Sequence, residues 1–267
     1  MRQKFEADSY LCVKELRKQQ CFKFRWYHEQ LCRPFEGVFL FYERLSDNMF
    51  NFEAVKEYIP YLLGGLGVTL VLALSASVLG SILGFIFALM LRSKRWYSKV
   101  VREIIDFFRG TPVIFQLAFF YLALPQIIPI FNPTSWFAAI FIFTINSGSY
   151  MAEIIRAGID NISVGQIEAA YSLGVSKKDV ILYLILPQAL RNILPALMNE
   201  FITLIKETSV VSTVGLADLM RRQQLIYTST YRYFEPLLIV GIIYYIVNKV
   251  LSNFGKRLER KLNHARS

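Results

Sequence analysis

The apolar residues of this chain come in long uncharged blocks, not in the alternation with polar residues that a soluble core requires. Residues 59–91 contain no Asp, Glu, Lys or Arg, and neither do residues 110–152. An uncharged apolar block of about 18 residues or more predicts a membrane-spanning helix. The second block is too long for one helix, and the stretch LPQIIPIFNP at 124–133 breaks it, since three prolines and an Asn stop helix propagation. The pattern therefore predicts an all-α integral membrane fold with five spans, at about 61–91, 111–130, 135–157, 193–213 and 236–254. In the first span Ser77, Gly80 and Gly84 put small residues on one face, which lets a neighbouring helix approach closely.

Charge orients these spans. The formal net charge is +10, which in a soluble protein would suggest nucleic acid. Here the basic residues flank apolar blocks, as RSKRWYSKVVR at 92–102 and KRLERKLNHAR at 256–266, so no nucleic-acid partner is expected. The lysine and arginine bias of the short loops places the N-terminus outside and the C-terminus in the cytoplasm. Arg221, Arg222 and Arg232, between spans four and five, run against that rule, and so does the basic segment 1–48. Residues 1–48 are mixed-charge, with no span and no signal-peptide order of regions. They are expected to be an extension, disordered or upstream of a start at Met49, with the transmembrane domain at 49–267. Cys12, Cys21 and Cys32 lack metal-ligand spacing and are odd in number, and no role is assigned to them. The only histidines are His28 and His264, and no Gly-rich phosphate loop is present. No catalytic constellation, metal site or bound cofactor is expected.

Polar residues inside the apolar blocks are the candidate chemistry. Span four carries Asn199, Glu200, Lys206 and Glu207, followed by Thr208 and Ser209. A charge at the centre of a span costs about 2.5–3.5 kcal/mol on insertion scales, so such residues face a bundle interior or a wet cavity. Asn199 and Lys206 share a face, as do Glu200 and Glu207, each pair being seven apart. Span three offers Asn146, Ser147, Gly148, Ser149 and Tyr150, with the backbone at Gly148 left accessible. Two readings stand: a polar translocation path between spans three and four, or an internal network that locks the bundle. Glu153 and Arg156 are spaced for an i,i+3 ion pair that clamps the inner end.

Between spans three and four, about 35 residues are too polar to cross a bilayer and unusually apolar for a loop. Asn161 or Ser163 can cap a short helix beginning near Val164, and Gly174 ends it. Ser176 and Asp179 form a capping-box-like start for a second helix, leading through Pro187 into span four. The outcome is a helix-turn-helix elbow shaped by Gly174 and Pro187, with an apolar face suited either to the bilayer interface or to a soluble partner.

Glu168-Ala169-Ala170, then Gly174, then Leu186-Pro187, resembles the EAA loop of ABC importer permeases of the type I fold, with Leu184 where that pattern has Ile. FRGTPVIFQLAFFYLALP at 108–125, NSGSYMAEIIRAGI and NEFITLIKETSVVSTVGLADL look like the polar amino-acid group, the histidine/glutamine/arginine/cystine permeases. The resemblance covers about residues 52–262. It implies a bacterial inner-membrane, multi-pass permease subunit for a polar L-amino acid. The implied partners are a second permease subunit (homodimer or heterodimer), a cytoplasmic ABC ATPase dimer docked on the elbow, and an extracytoplasmic substrate-binding protein. ATP and Mg would be used by the ATPase partner, not by this chain. A secondary transporter or channel for a small polar solute is the alternative, but it leaves the elbow unexplained. A non-transporting scaffold for an ATPase leaves the polar spans unexplained.

Overall fold

A computed structural model describes residues 52–93 and 95–264. The chain divides into two compact units, Met1–Ala54 and Val55–Ser267, and of the first only residues 52–54 are described. The expected extension over 1–48, the start at Met49, and Cys12, Cys21 and Cys32 lie outside the described residues.

The second unit is built from helices. α1 (Ile59–Leu91) and α5 (Ser135–Asp160) are the spans their uncharged blocks predict. They make the most extensive helix–helix contact among the described residues. A Cβ at Gly80 would stand 2.8 Å from Ser147 Oγ, and one at Gly84 would stand 2.8 Å from the Gly148 carbonyl oxygen. These two glycines therefore let the backbones meet, the use expected of a small-residue face. Around this contact an apolar core gathers Leu72, Ala73 and Ala76 of α1 with Ala139, Ile142 and Phe143 of α5.

Between these spans the structure adds a helix that sequence reasoning took for a charged loop. α2 (Tyr97–Gly110) is amphipathic, with Val101 and Ile105 buried against Phe87, Met90, Leu91 and Ala152. The chain then turns by 106° into α3 (Val113–Ala118), a π-helical segment at Phe119–Ala123, and α4 (Leu124–Ile127). Span two is therefore shorter than the expected 111–130 and is one arm of a bent pair. Among the described residues, four helices are long and apolar enough to cross a membrane, five with this pair.

After α5 come α6 (Val164–Ser172) and α7 (Lys177–Asp179), a second π segment at Val180–Ile185, and α8 (Leu186–Glu207), which tightens into a 3-10 turn at Thr208–Val214. Helical conformation is unbroken from Lys177 to Val214. Span four therefore begins well before residue 193, and Pro187 bends no elbow. The proline is tolerated because a wide π turn precedes it. A proline clashes with the carbonyl four residues back, here Tyr183, which lies inside the π segment. The same device appears in span two, where the π segment precedes Pro125 and contains Tyr121. The two sites carry near-identical hexapeptides, YLALPQ at 121–126 and YLILPQ at 183–188, which differ only at the third position.

α9 (Leu219–Thr230) and the long α10 (Phe234–His264) complete the unit. α9 packs on the first half of α1 through Leu62, Leu219 and Ile226, with Val240 of α10 alongside.

Candidate functional site

The elbow is built from one backbone corner. Gly174 has φ +80°, its amide donates to the Tyr171 carbonyl at 3.0 Å, and the Val175 amide donates to the Ala170 carbonyl at 3.1 Å. These are the paired bonds of a Schellman helix end, which requires a left-handed residue. A Cβ on Gly174 would meet nothing within 4 Å. The glycine is thus needed for its backbone angle and not for space. Ser176 caps α7 as expected, its hydroxyl accepting from the Asp179 amide at 3.2 Å and donating to the Asp179 carboxylate at 2.7 Å. At the start of α6 neither Asn161 nor Ser163 uses its side chain as a cap; the Gln166 amide donates to the Ser163 carbonyl instead.

Glu168 and Ala169 are exposed on α6, Ala170 is half-buried, and Leu186 and Pro187 are exposed at the start of α8. Large apolar side chains stand out around them, with Leu173 83% and Tyr183 79% exposed. One side-chain bond crosses the corner, the Gln188 amide donating to Gln166 at 3.2 Å. Asn192, one turn further, donates to the Gly158 carbonyl at the end of span three.

The candidate path residues fall into two groups that the structure does not bring together within one chain. Asn146, Ser147, Gly148 and Ser149 are buried inside the bundle. Gly148 is not accessible, since it lies against Leu83 and Gly84 of span one. Ser149 donates to the Ile145 carbonyl at 2.9 Å. Asn146 donates to Gln116 and to the Phe108 carbonyl, each at 3.1 Å, and Gln116 donates to Phe108, to the Thr111 carbonyl and to the Thr111 hydroxyl. This cluster fastens the bend between α2 and α3 to span three. Tyr150 is half-buried with the Arg109 guanidinium 5.4 Å above its ring.

Span four presents the other group. Asn199 and Lys206 are exposed on one face, as their spacing predicts, with Glu200 and Glu207 half-buried. Thr208 is buried and donates to the Ile205 carbonyl, and Ser209 donates to the Lys206 carbonyl, each at 2.8 Å, so both hydroxyl protons are committed to the backbone. Spans three and four meet through apolar side chains, including Ile155 with Ala189 and Ile193. Glu153 and Arg156 form the expected ion pair, and Arg156 also reaches Asp160 at 3.5 Å.

The arginines that resisted the orientation rule have local work. Arg222 donates to the Tyr61 carbonyl at 2.6 Å and stacks 4.6 Å over the Tyr61 ring. Arg232 pairs with Glu235 and Arg221 with Gln224. Asp218, fully buried, caps α9 by accepting from the amides of Met220 and Arg221. Its burial pushes the carboxyl up to about 6, against the pull of those amide donors. Sequence reasoning missed Gln116, Thr111, Asp218 and this use of Arg222. A Gln in an uncharged run and an Asp four residues before an Arg were the available signals.

A family model described as "Binding-protein-dependent transport system inner membrane component" matches residues 80–264. The arginine transport system permease protein ArtQ of Bacillus subtilis (strain 168) is 42% identical over 213 residues, which are 79% of this chain and 97% of that protein. A putative glutamine transport system permease protein GlnP of Rickettsia typhi is 40% identical, over 78% of this chain and 96% of its own. Among solved structures, an amino acid ABC transporter crystallised with histidines matches with a TM-score of 0.76 and 40% identity, over 79% of this chain and 99% of that one. The MetNI methionine ABC transporter in an inward-facing conformation matches in fold, with a TM-score of 0.64 at 21% identity. The chain belongs to the family of binding-protein-dependent transport system inner membrane components, as a multi-pass permease subunit of an ABC importer rather than an enzyme.

Proposed function

We propose that the cargo is a polar amino acid and that the elbow formed by α6 and α7 is the seat of a cytoplasmic ATPase subunit. The observation that carries the reading is the elbow itself. It holds Glu168, Ala169, Ala170 and Gly174 outside the spans, stiffened by a Schellman corner and edged by exposed Leu173 and Tyr183. A rigid knob with an uncovered apolar edge suits insertion into a groove of a moving partner. Because helix runs unbroken from Lys177 to Val214, a push on α7 is delivered along span four without a hinge at Pro187. The cargo reading is supported by the arginine and glutamine names of relatives near 40% identity.

In this reading the N-terminus is outside and the C-terminus cytoplasmic, and ATP with Mg is used only by the ATPase. An extracytoplasmic binding protein delivers the solute, and a second permease subunit, identical or homologous, completes the pathway. Asn199, Glu200, Lys206 and Glu207 on span four line that pathway. Exposed Asn199 and Lys206 at span depth would be costly against lipid, so they face the second subunit or the wet path between the two. The buried residues of span three, Asn146 to Ser149, pack on span one and on the bend after α2, and hold span three in place beside this wall.

The test is ATP-dependent uptake by the reconstituted complex with a panel of labelled amino acids. Saturable uptake of a polar amino acid, dependent on both the ATPase and the binding protein, is expected. Uptake without ATP would favour a secondary transporter or channel, and ATP turnover with no uptake of any solute would favour a scaffold.

A further inference from the structure

We propose that α2 is an in-plane helix that collects anionic phospholipid, with Arg92, Arg95, Lys99 and Arg102 as its headgroup contacts. The proposal is independent of the cargo and of the direction of transport.

Three sectors around the helix carry it. Val101 and Ile105 turn inward and are buried on spans one and three. A second apolar row, Val100, Ile104 and Phe107, is 48%, 38% and 53% exposed, and Trp96 at the start of the helix is 78% exposed. The remaining sector carries Lys99, Arg102, Glu103, Asp106 and Arg109, all exposed. A helix that is apolar on the protein side, apolar again beside it and charged on the third side fits the boundary between acyl chains and headgroups. The 106° bend into the following segment supports that placement. If that segment crosses the bilayer, α2 runs nearly in its plane. An exposed Trp at the helix start belongs at the same depth.

Charge selects the class of lipid. Arg92, Arg95, Lys99 and Arg102 are exposed, and among the described residues none of them pairs with a carboxylate. Arg92 and Arg95 just before the helix, with Lys99 and Arg102 in its first turns, outnumber the Glu103 and Asp106 carboxylates, and this surplus of positive charge matches a phosphodiester headgroup with net negative charge, while a zwitterionic headgroup returns much of that attraction as repulsion. The exposed apolar row gives the acyl chains of the same lipid a surface to lie on.

The test uses the whole reconstituted complex, with spin-labelled phosphatidylglycerol and phosphatidylcholine compared as probes. The motionally restricted fraction should favour phosphatidylglycerol about fivefold or more. The variant R92Q/R95Q/K99Q/R102Q should lose most of that preference. The charge-matched variant K256Q/R257Q/R260Q/K261Q, in the last helix, should retain it. Equal preference in the first variant and the wild type, or equal loss in both variants, overturns the proposal.

A second measurement avoids dependence on a multiple variant. With Cys12, Cys21 and Cys32 replaced by Ser, a nitroxide attached through Ile104→Cys should be relaxed by oxygen and protected from a water-soluble nickel chelate. A label shielded from both reagents would mean that a protein subunit covers this row. A label open to nickel would mean that the row faces water. Either result overturns the proposal.

Discussion

Gln116 and Asn146, thirty positions apart, share a 3.1 Å side-chain hydrogen bond in the buried interior, and both amides also donate to the single carbonyl of Phe108. One backbone oxygen at the end of α2 thus receives two side chains from two different helices. Replacing Asn146 with Leu removes one donor and leaves the Gln116 oxygen buried without its partner. The expected cost is about 1–2 kcal/mol, near the upper range for bonds between membrane helices. A double-mutant cycle with Gln116→Leu, read by thermal unfolding of the solubilised complex, should show the double variant costing less than the sum of the singles. Strict additivity would mean the two amides act independently.

Gly174 predicts an unusual order among substitutions. Space is open there, but a left-handed angle costs an ordinary L residue about 1–2 kcal/mol. Asn tolerates that angle and a β-branched residue does not. Uptake should therefore fall in the order Gly174→Asn, Gly174→Ala, Gly174→Val, although Asn is much larger than Ala. If size governed the site, Ala would be the mildest.

Gly84 predicts the opposite logic. A Cβ there would stand 2.9 Å from the Ala152 nitrogen and closer still to the Gly148 oxygen, so Gly84→Ala should cost about 1–3 kcal/mol by forcing spans one and three apart. Gly67 lies on the same helix with nothing within 4 Å of a built Cβ. Gly67→Ala should leave thermal stability unchanged or raise it by about 0.5–1 kcal/mol through helix propensity. Comparable losses at both positions would show that the contact at Gly84 is slack.

Asp218 predicts a pH effect. Its carboxyl is held up at about 6 by burial, above the ordinary 3.8, so the folded state binds this proton more tightly than the unfolded chain. The resulting stabilisation is fully present below the ordinary value and is lost as pH rises through about 6. Heat resistance of the wild type should therefore fall between about pH 4 and pH 7 relative to Asp218→Asn, which keeps a capping oxygen without titrating there. Parallel profiles for the two proteins would contradict this.

Lys206 separates pathway from scaffold. Its side chain is exposed and its carbonyl, not its ammonium, accepts the Ser209 bond. Lys206→Met should lower uptake by tenfold or so, the worth of about 1.4 kcal/mol, with no loss of thermal stability. A parallel drop in both would make the lysine part of the scaffold.

Much of this was legible before the structure, for identifiable reasons. Span one is uncharged over all its 33 residues, more than a bilayer needs, span three is uncharged up to Glu153, and nothing local competes with helix in either. Gly174 was legible as a helix end because only a left-handed residue closes a Schellman corner. α2 was not, because Lys99, Arg102, Glu103, Asp106 and Arg109 read as a charged flank, although they share one side of a helix. Gln116 was hidden because its partner is thirty residues away and no local pattern announces it. The π turns were hidden because the turns themselves, FFYLA and VILYLI, are apolar on every side, so a shift of one position within them leaves no mark on the pattern.

That shift has a consequence for span four. Each π turn inserts one extra residue, and one residue is about 100° of rotation in an α-helix. Everything before Val180 is therefore clocked by about 100° against everything after Ile185, relative to an uninterrupted α-helix. The rod is continuous, but the compass direction in which the knob of α6 and α7 points is set by a single supernumerary residue. Deleting one residue within 180–182 would keep the helix, the corner and the YLILPQ hexapeptide, yet aim the knob at a different neighbour.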